Sequence, residues 1–207
     1  MPATGSGGRP GDERPGCWRL ARLVTEVLAP APLSAVVLVV VALHSAASAA
    51  EALRWVVIGV LFATLIPFAY VLQGVRRRQL TDHHVHRRED RPLPLVVGII
   101  SVVVLLGLLV LLGGPRDLLA LIGTMAAGLV VSLLVTLVWK ISVHAGVVAG
   151  SIAILTILFG PLLLPLSPVI ALVGWARVEL GDHTPAQVVA GAALGAAVAA
   201  SVFTVMR

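Results

Sequence analysis

The chain has 207 residues, of which 58% are hydrophobic and only 12% charged, and its mean hydropathy is +1.03. That composition excludes a soluble globular domain, because apolar runs of about 18 residues or more read as membrane helices. The net charge of +5 comes mostly from arginines beside those runs, which favours anionic headgroups or phosphate over nucleic acid as the partner.

Residues 1–17 are rich in Gly, Pro and Arg with almost nothing to bury, which predicts a disordered tail ahead of a membrane domain at 18–207. The single cysteine, Cys17, rules out an internal disulfide. Trp18–Leu28 mixes Arg19, Arg22 and Glu26 with apolar residues and reads as a short interfacial helix that ends before Pro30 and Pro32. Leu33–Ala50 is the first apolar run. Its SAASAA ending invites a signal-peptide reading, but the basic region in front is too long for one. Glu51 and Arg54 mark a loop before the second span, Trp55–Val75. Arg76–Pro92 is the most polar internal stretch. A positive-inside loop accounts for its arginines and leaves Asp82, His83, His84 and His86 unexplained.

Leu93–Trp139 is too long for one span and breaks at Gly113-Gly114-Pro115, giving spans at 93–112 and 117–139. Ala145–Gly174 is interrupted by Gly160-Pro161 and Pro165 and reads as two short or tilted helices, with one long bent helix as the alternative. Pro185–Met206 is the last span, and its small residues around Gly191–Gly195 permit close backbone approach. No strand alternation is present. The expected fold is an all-α polytopic transmembrane bundle of about six to seven spans.

Polar residues interrupt this pattern at His83–Pro92, at Lys140–His144 and around Arg177, Glu179, Asp182 and His183. If the Gly/Pro breaks are hairpins, an even number of spans separates successive islands, and all three share one membrane face. A single bent helix over Ala145–Gly174 would break that parity. The arginines cluster in the N-terminal tail and the first island, so the positive-inside rule assigns the N-terminus and the shared face to the cytoplasm.

Pooled, the islands offer Arg91, Lys140, Ser142, His144, Arg177 and His183. Arginine grips phosphate by bidentate hydrogen bonds, and a helix start near Ser142 adds free backbone N–H groups. One histidine can attack phosphorus while the other protonates the leaving oxygen. This describes a phosphomonoester or diphosphate hydrolase that needs no metal or other cofactor. The plainer readings are a membrane-interface pair for Trp139-Lys140, a backbone hydrogen bond for Ser142 and a positive-inside role for Arg177. His83, His84 and His86 lack a clear fourth ligand for a metal.

The residues resemble the type 2 phosphatidic acid phosphatases, the PAP2 or acid phosphatase–vanadium haloperoxidase superfamily. That family carries Lys-x6-Arg-Pro, Pro-Ser-Gly-His and Ser-Arg-x5-His-x3-Asp. The matching stretches here are His84-x6-Arg91-Pro92, Ile141-Ser142-Val143-His144 and Ala176-Arg177-x5-His183-x3-Gln187, in the same order and spacing. The resemblance implies a PAP2-like bundle with His183 as nucleophile, His144 as general acid, and Arg91, Ser142 and Arg177 on the phosphate. The motifs are degenerate. The family's lysine is His84, with Arg88 or Lys140 as stand-ins. Its glycine is Val143. Its aspartate is Gln187, which can orient the imidazole but cannot balance its charge, so Glu179 or Asp182 would have to supply that. The implied function is a lipid phosphatase acting on a lipid phosphate or diphosphate through a phosphohistidine. The alternatives are a PAP2-fold protein that binds anionic lipid without turnover and a small transporter.

Overall fold

The computed structural model describes residues 15–78 and 88–207. Most of the expected tail, and His83, His84 and His86 of the first island, lie outside the described residues. Helix α1, Pro15–Val27, already includes Pro15, Gly16 and Cys17, which composition alone assigns to the tail. Proline suits a first helical position. Helix α2, Pro30–Ser45, continues from α1 at a bend of 44°.

Helix α3, Ala49–Val60, runs through a π-helical turn at Leu61–Leu65 into α4, Ile66–Arg76. After a 3-10 turn at Arg88–Asp90 come α5, Pro92–Leu111, and α6, Arg116–Val138. Helix α7, Val143–Phe159, leads through a 3-10 segment at Pro161–Leu166 to α8, Pro168–Glu179. Helix α9, Pro185–Val198, passes a second π turn at Ala199–Phe203 and ends in α10, Thr204–Met206. Among the described residues every regular element is helical. Five segments are long and apolar enough to cross a membrane, and α1–α2 makes a sixth if the bent pair is one span. Apolar α7, at 17 residues, falls short of that length.

Ala145–Gly174 is therefore two helices rather than one bent helix. The chain turns at Gly160, whose φ of 93° suits glycine, ahead of Pro161.

Proline also explains the break inside the second span. Pro67 has no N–H, so the carbonyl five residues earlier, at Phe62, loses its partner, while Ile66 N–H reaches back to Leu61 in a π turn. Ser101 on α5 donates its hydroxyl to the Phe62 carbonyl at 2.6 Å. A freed backbone group in an apolar bundle is thus satisfied by a neighbouring helix.

The closest helix pair is α7 with α9, joined by glycines on both sides. A Cβ at Gly195 would overlap the Gly146 backbone, and one at Gly191 would overlap the Ser142 carbonyl. Gly146 and Gly150 face Gly191 and Gly195 in return. These are two small-xxx-small stripes, which bring helix backbones into direct van der Waals contact. The Ser142 N–H then reaches the Gln187 carbonyl at 3.1 Å. At the opposite end of the bundle, Arg207 pairs with Asp117 at 3.0 Å and donates to the Ile157 carbonyl at 2.9 Å.

Candidate active site at the motif end of the bundle

Helices α5, α7 and α9 all begin at the same end, and their first residues belong to the three motifs. Arg91 caps α5 and is 7% exposed. Its Nη1 donates to the Ile141 carbonyl at 3.0 Å. Lys140 Nζ donates to the Asp182 carbonyl at 2.7 Å. Together with the Ser142–Gln187 backbone bond, these contacts join segments far apart in sequence. They place Arg91, Lys140–Ser142 and Asp182–Gln187 side by side, as the span parity requires.

Ser142 is fully buried and caps α7, its Oγ accepting the Ala145 N–H at 3.3 Å. The backbone hydrogen bond foreseen for it is present, and it leaves this serine at a helix N-terminus. His144 lies in the first turn of α7 and is buried.

The third motif owes its shape to two successive helix caps. Helix α8 ends in a Schellman turn: Gly181 N–H bonds the Val178 carbonyl at 2.9 Å and Asp182 N–H bonds Arg177 at 3.1 Å. Gly181 has φ 72°, the left-handed conformation such a turn needs. The same Arg177 carbonyl accepts the His183 N–H at 3.2 Å, so the five residues between Arg177 and His183 fold back on themselves. Thr184 then starts α9 with a capping box. Its Oγ1 accepts the Gln187 N–H, and Gln187 Oε1 accepts the Thr184 N–H at 3.1 Å.

This box sets the tautomer of the histidine. A backbone N–H can only donate, so the Gln187 atom facing Thr184 is the amide oxygen. That oxygen also lies 3.2 Å from His183 Nδ1. Two acceptors cannot pair, so Nδ1 carries the proton and Nε2 keeps its lone pair. Burial pushes the imidazole down from 6.5 to about 3; Arg177, Arg91 and Lys140 add to this, and the Gln187 bond opposes it. His183 is thus neutral at pH 7, with a free nitrogen beside a cationic corner. Burial, and then Arg91, hold Lys140 below its usual 10.5.

Comparison with family models, curated proteins and solved structures yields no match to this chain.

Arg177 is 1% exposed and pairs through Nη1 with Asp182 Oδ2 at 3.0 Å. Asp182, offered by the sequence with Glu179 as a source of charge for the imidazole, has its carboxylate on this arginine. Glu179 ends α8. Lys140 lies in the same electrostatic neighbourhood as Arg91 and Arg177. His84 lies outside the described residues. Two features escaped the sequence reading. One is the Lys140–Asp182 contact, for which no local signal exists. The other is the tautomer lock, whose Thr-x-x-Gln signature at 184–187 was visible.

The corner joins positive helix N-termini, two arginines, a lysine and a neutral histidine. That combination suits an anion with a phosphorus or carbon centre open to attack.

Proposed function

We propose that this chain is an integral-membrane PAP2-like lipid phosphatase that hydrolyses a lipid phosphate or diphosphate. The observation that carries the reading is the convergence of the three motif segments, tied by the Arg91–Ile141, Lys140–Asp182 and Ser142–Gln187 bonds, around a His183 whose Nε2 is unprotonated.

Arg91, Arg177, Lys140 and the N-terminus of α7 at Ser142 hold the phosphate oxygens. His183 Nε2 forms a bond to phosphorus as the bond to the leaving oxygen breaks, and His144 protonates that oxygen. Water then attacks the phosphohistidine, gives a proton to His144, and releases phosphate with the imidazole restored. Gln187 fixes the attacking tautomer but adds no negative charge. The arginine bias supports a multi-pass orientation with the motif end and the N-terminus in the cytoplasm. The lipid chain stays on the apolar side.

One observation favours a second reading, a PAP2-fold protein that binds anionic lipid with weak or no turnover. The phosphohistidine step builds positive charge on a ring already flanked by Arg177, Arg91 and Lys140, and an uncharged glutamine cannot offset it.

The test is acid-quench trapping of labelled phosphoenzyme on detergent-solubilised protein, with a lipid phosphate and an activated aryl phosphate. His183→Ala should abolish both reactions. His144→Ala should spare the aryl phosphate relative to the lipid phosphate, since a good leaving group needs no proton. A His183→Ala protein with wild-type turnover would remove the mechanism. Stoichiometric lipid binding with no phosphate release would favour the second reading.

A further inference from the structure

A cavity of about 290 Å³, partly open to the surroundings, lies among α2, α4, α5, α6, α7 and α9. Its near wall includes Ile141 and Ser142, the residues bonded to Arg91 and Gln187. Its far wall includes Ile154 on α7 and Ala199 beyond α9. Along α7, Ser142 to Ile154 covers roughly 18 Å at about 1.5 Å per residue. That is close to the ~15 Å depth of one leaflet of a ~30 Å hydrocarbon core. Except for scattered Ser and Thr hydroxyls the walls are apolar, and among the described residues no charged side chain lines them.

Glycine keeps part of this space open. Gly128 on α6 lines the cavity, and a Cβ built there meets nothing within 4 Å. Gly146, Gly150, Gly191 and Gly195 are needed for close backbone contact between α7 and α9; at Gly128 the missing side chain leaves room.

We infer that this chamber holds one hydrocarbon chain of the phosphate-bearing lipid, with the phosphate at the Arg91–Lys140–Arg177 corner. The inference rests on the lipid phosphate reading above and adds where the chain goes: inside the bundle rather than on its lipid-facing surface. Two features identify the occupant. Arg91, Lys140 and Arg177 gather at the Ser142 end, which matches an anionic head on an apolar tail, whereas the cation at the far end, Arg207, is paired with Asp117. The volume lies just under the ~300–1,000 Å³ of ligand pockets, which favours one chain over two. A two-chain lipid would leave its second chain in the bilayer.

The experiment uses the full chain in lipid nanodiscs and alkyl phosphates carrying a photoactivatable diazirine at successive chain carbons, with adducts mapped by mass spectrometry. A diazirine near the head should label Ile141 and Val143. One near the chain end should label Ile154 and Ala199. The same alkyl probe lacking phosphate should label lipid-facing residues such as Leu111 and Val189, which are exposed on the bundle surface. Gly128→Leu should cut chamber adducts by about tenfold, the lower end of what one misfitted methylene costs in an apolar pocket. Gly107→Leu, on the exposed face of α5, should not. Adducts on the lipid-facing surface alone, the same labelled depth for every diazirine position, or equal chamber labelling without phosphate would each overturn the inference. The depth series needs no variant, so a Gly128→Leu protein that fails to fold leaves the test intact. Phosphate release from a chainless aryl phosphate is measured in parallel. If wild type releases none while the chamber is labelled, the hydrolase reading fails and the chamber stands. If phosphate is released but no chamber adducts form, the hydrolase reading stands and the chamber inference fails.

Discussion

Replacing Gln187 by Glu changes one charge at His183 while keeping the side-chain length that closes the capping box. Gln187 Oε1 sits 3.2 Å from Nδ1 and accepts the Thr184 N–H, and a carboxylate oxygen can do both. At that separation and an effective dielectric near 20, Coulomb's law gives an upper figure of about 5 kcal/mol. Measured shifts from one opposite charge at contact are about 1–3 pKa units. The His183 pKa should therefore climb from about 3 to between about 4 and 6. The assay is an NMR titration of the ring nitrogens in micelles between pH 3 and 8. Stability supplies a second readout. Between the ordinary 6.5 and the native value of about 3, the unfolded chain binds a proton that the folded protein refuses. Wild-type stability should be full above pH 6.5 and fall as the pH drops toward 3. The total loss is at most about 4–5 kcal/mol, less where solvent at the site mouth screens the charges. The Glu variant should lose less over the same range. Any phosphatase rate should rise, since the carboxylate balances the imidazolium-like phosphohistidine. A wild-type His183 titrating near 6.5 would refute its burial beside the cations. An unchanged titration in the Glu variant would refute the Gln187–Nδ1 contact.

Gly191→Ala and Gly195→Ala should each destabilise the bundle by about 1–3 kcal/mol or more, because the new methyl overlaps backbone on α7. Gly128→Ala should be neutral or gain up to about 1 kcal/mol in thermal unfolding, because a helical glycine is being replaced where space is open. Gly181→Ala should cost about 1–2 kcal/mol through its left-handed φ and should lower any activity as well, since it displaces His183; unchanged activity would argue against the Schellman turn as the device that sets the motif. In a Cys17→Ser background, cysteine reporters at Glu89 and Ala186 should be labelled from one side of the membrane and one at Arg116 from the other, and opposite labelling of the first two would break the shared site.

Much of the fold was legible because helix punctuation is local. Gly113-Gly114-Pro115 and Gly160-Pro161 break apolar runs for reasons contained in a few residues, so the helix breaks could be read directly. Pro67 was equally visible, but its consequence was not. Whether a proline ends a span or is absorbed depends on a partner for the freed carbonyl, and that partner, Ser101, lies on another helix. The site divides the same way. The Arg177–His183 spacing and the Thr184–Gln187 box are set within one turn of chain each, and the box fixes the tautomer with the proton on Nδ1. Asp182, offered with Glu179 as a source of charge for His183, could serve either neighbour on spacing alone, and its carboxylate pairs with Arg177. Burial decides in favour of Arg177: at 1% exposure, an uncompensated guanidinium costs more than an imidazole that can simply stay neutral. The Gly191–Gly195 stripe showed that something must come close to α9. Only the facing glycines on α7 show that it is the Ser142 backbone, and so that the packing contact of the bundle and the alignment of the second motif with the third are one interaction.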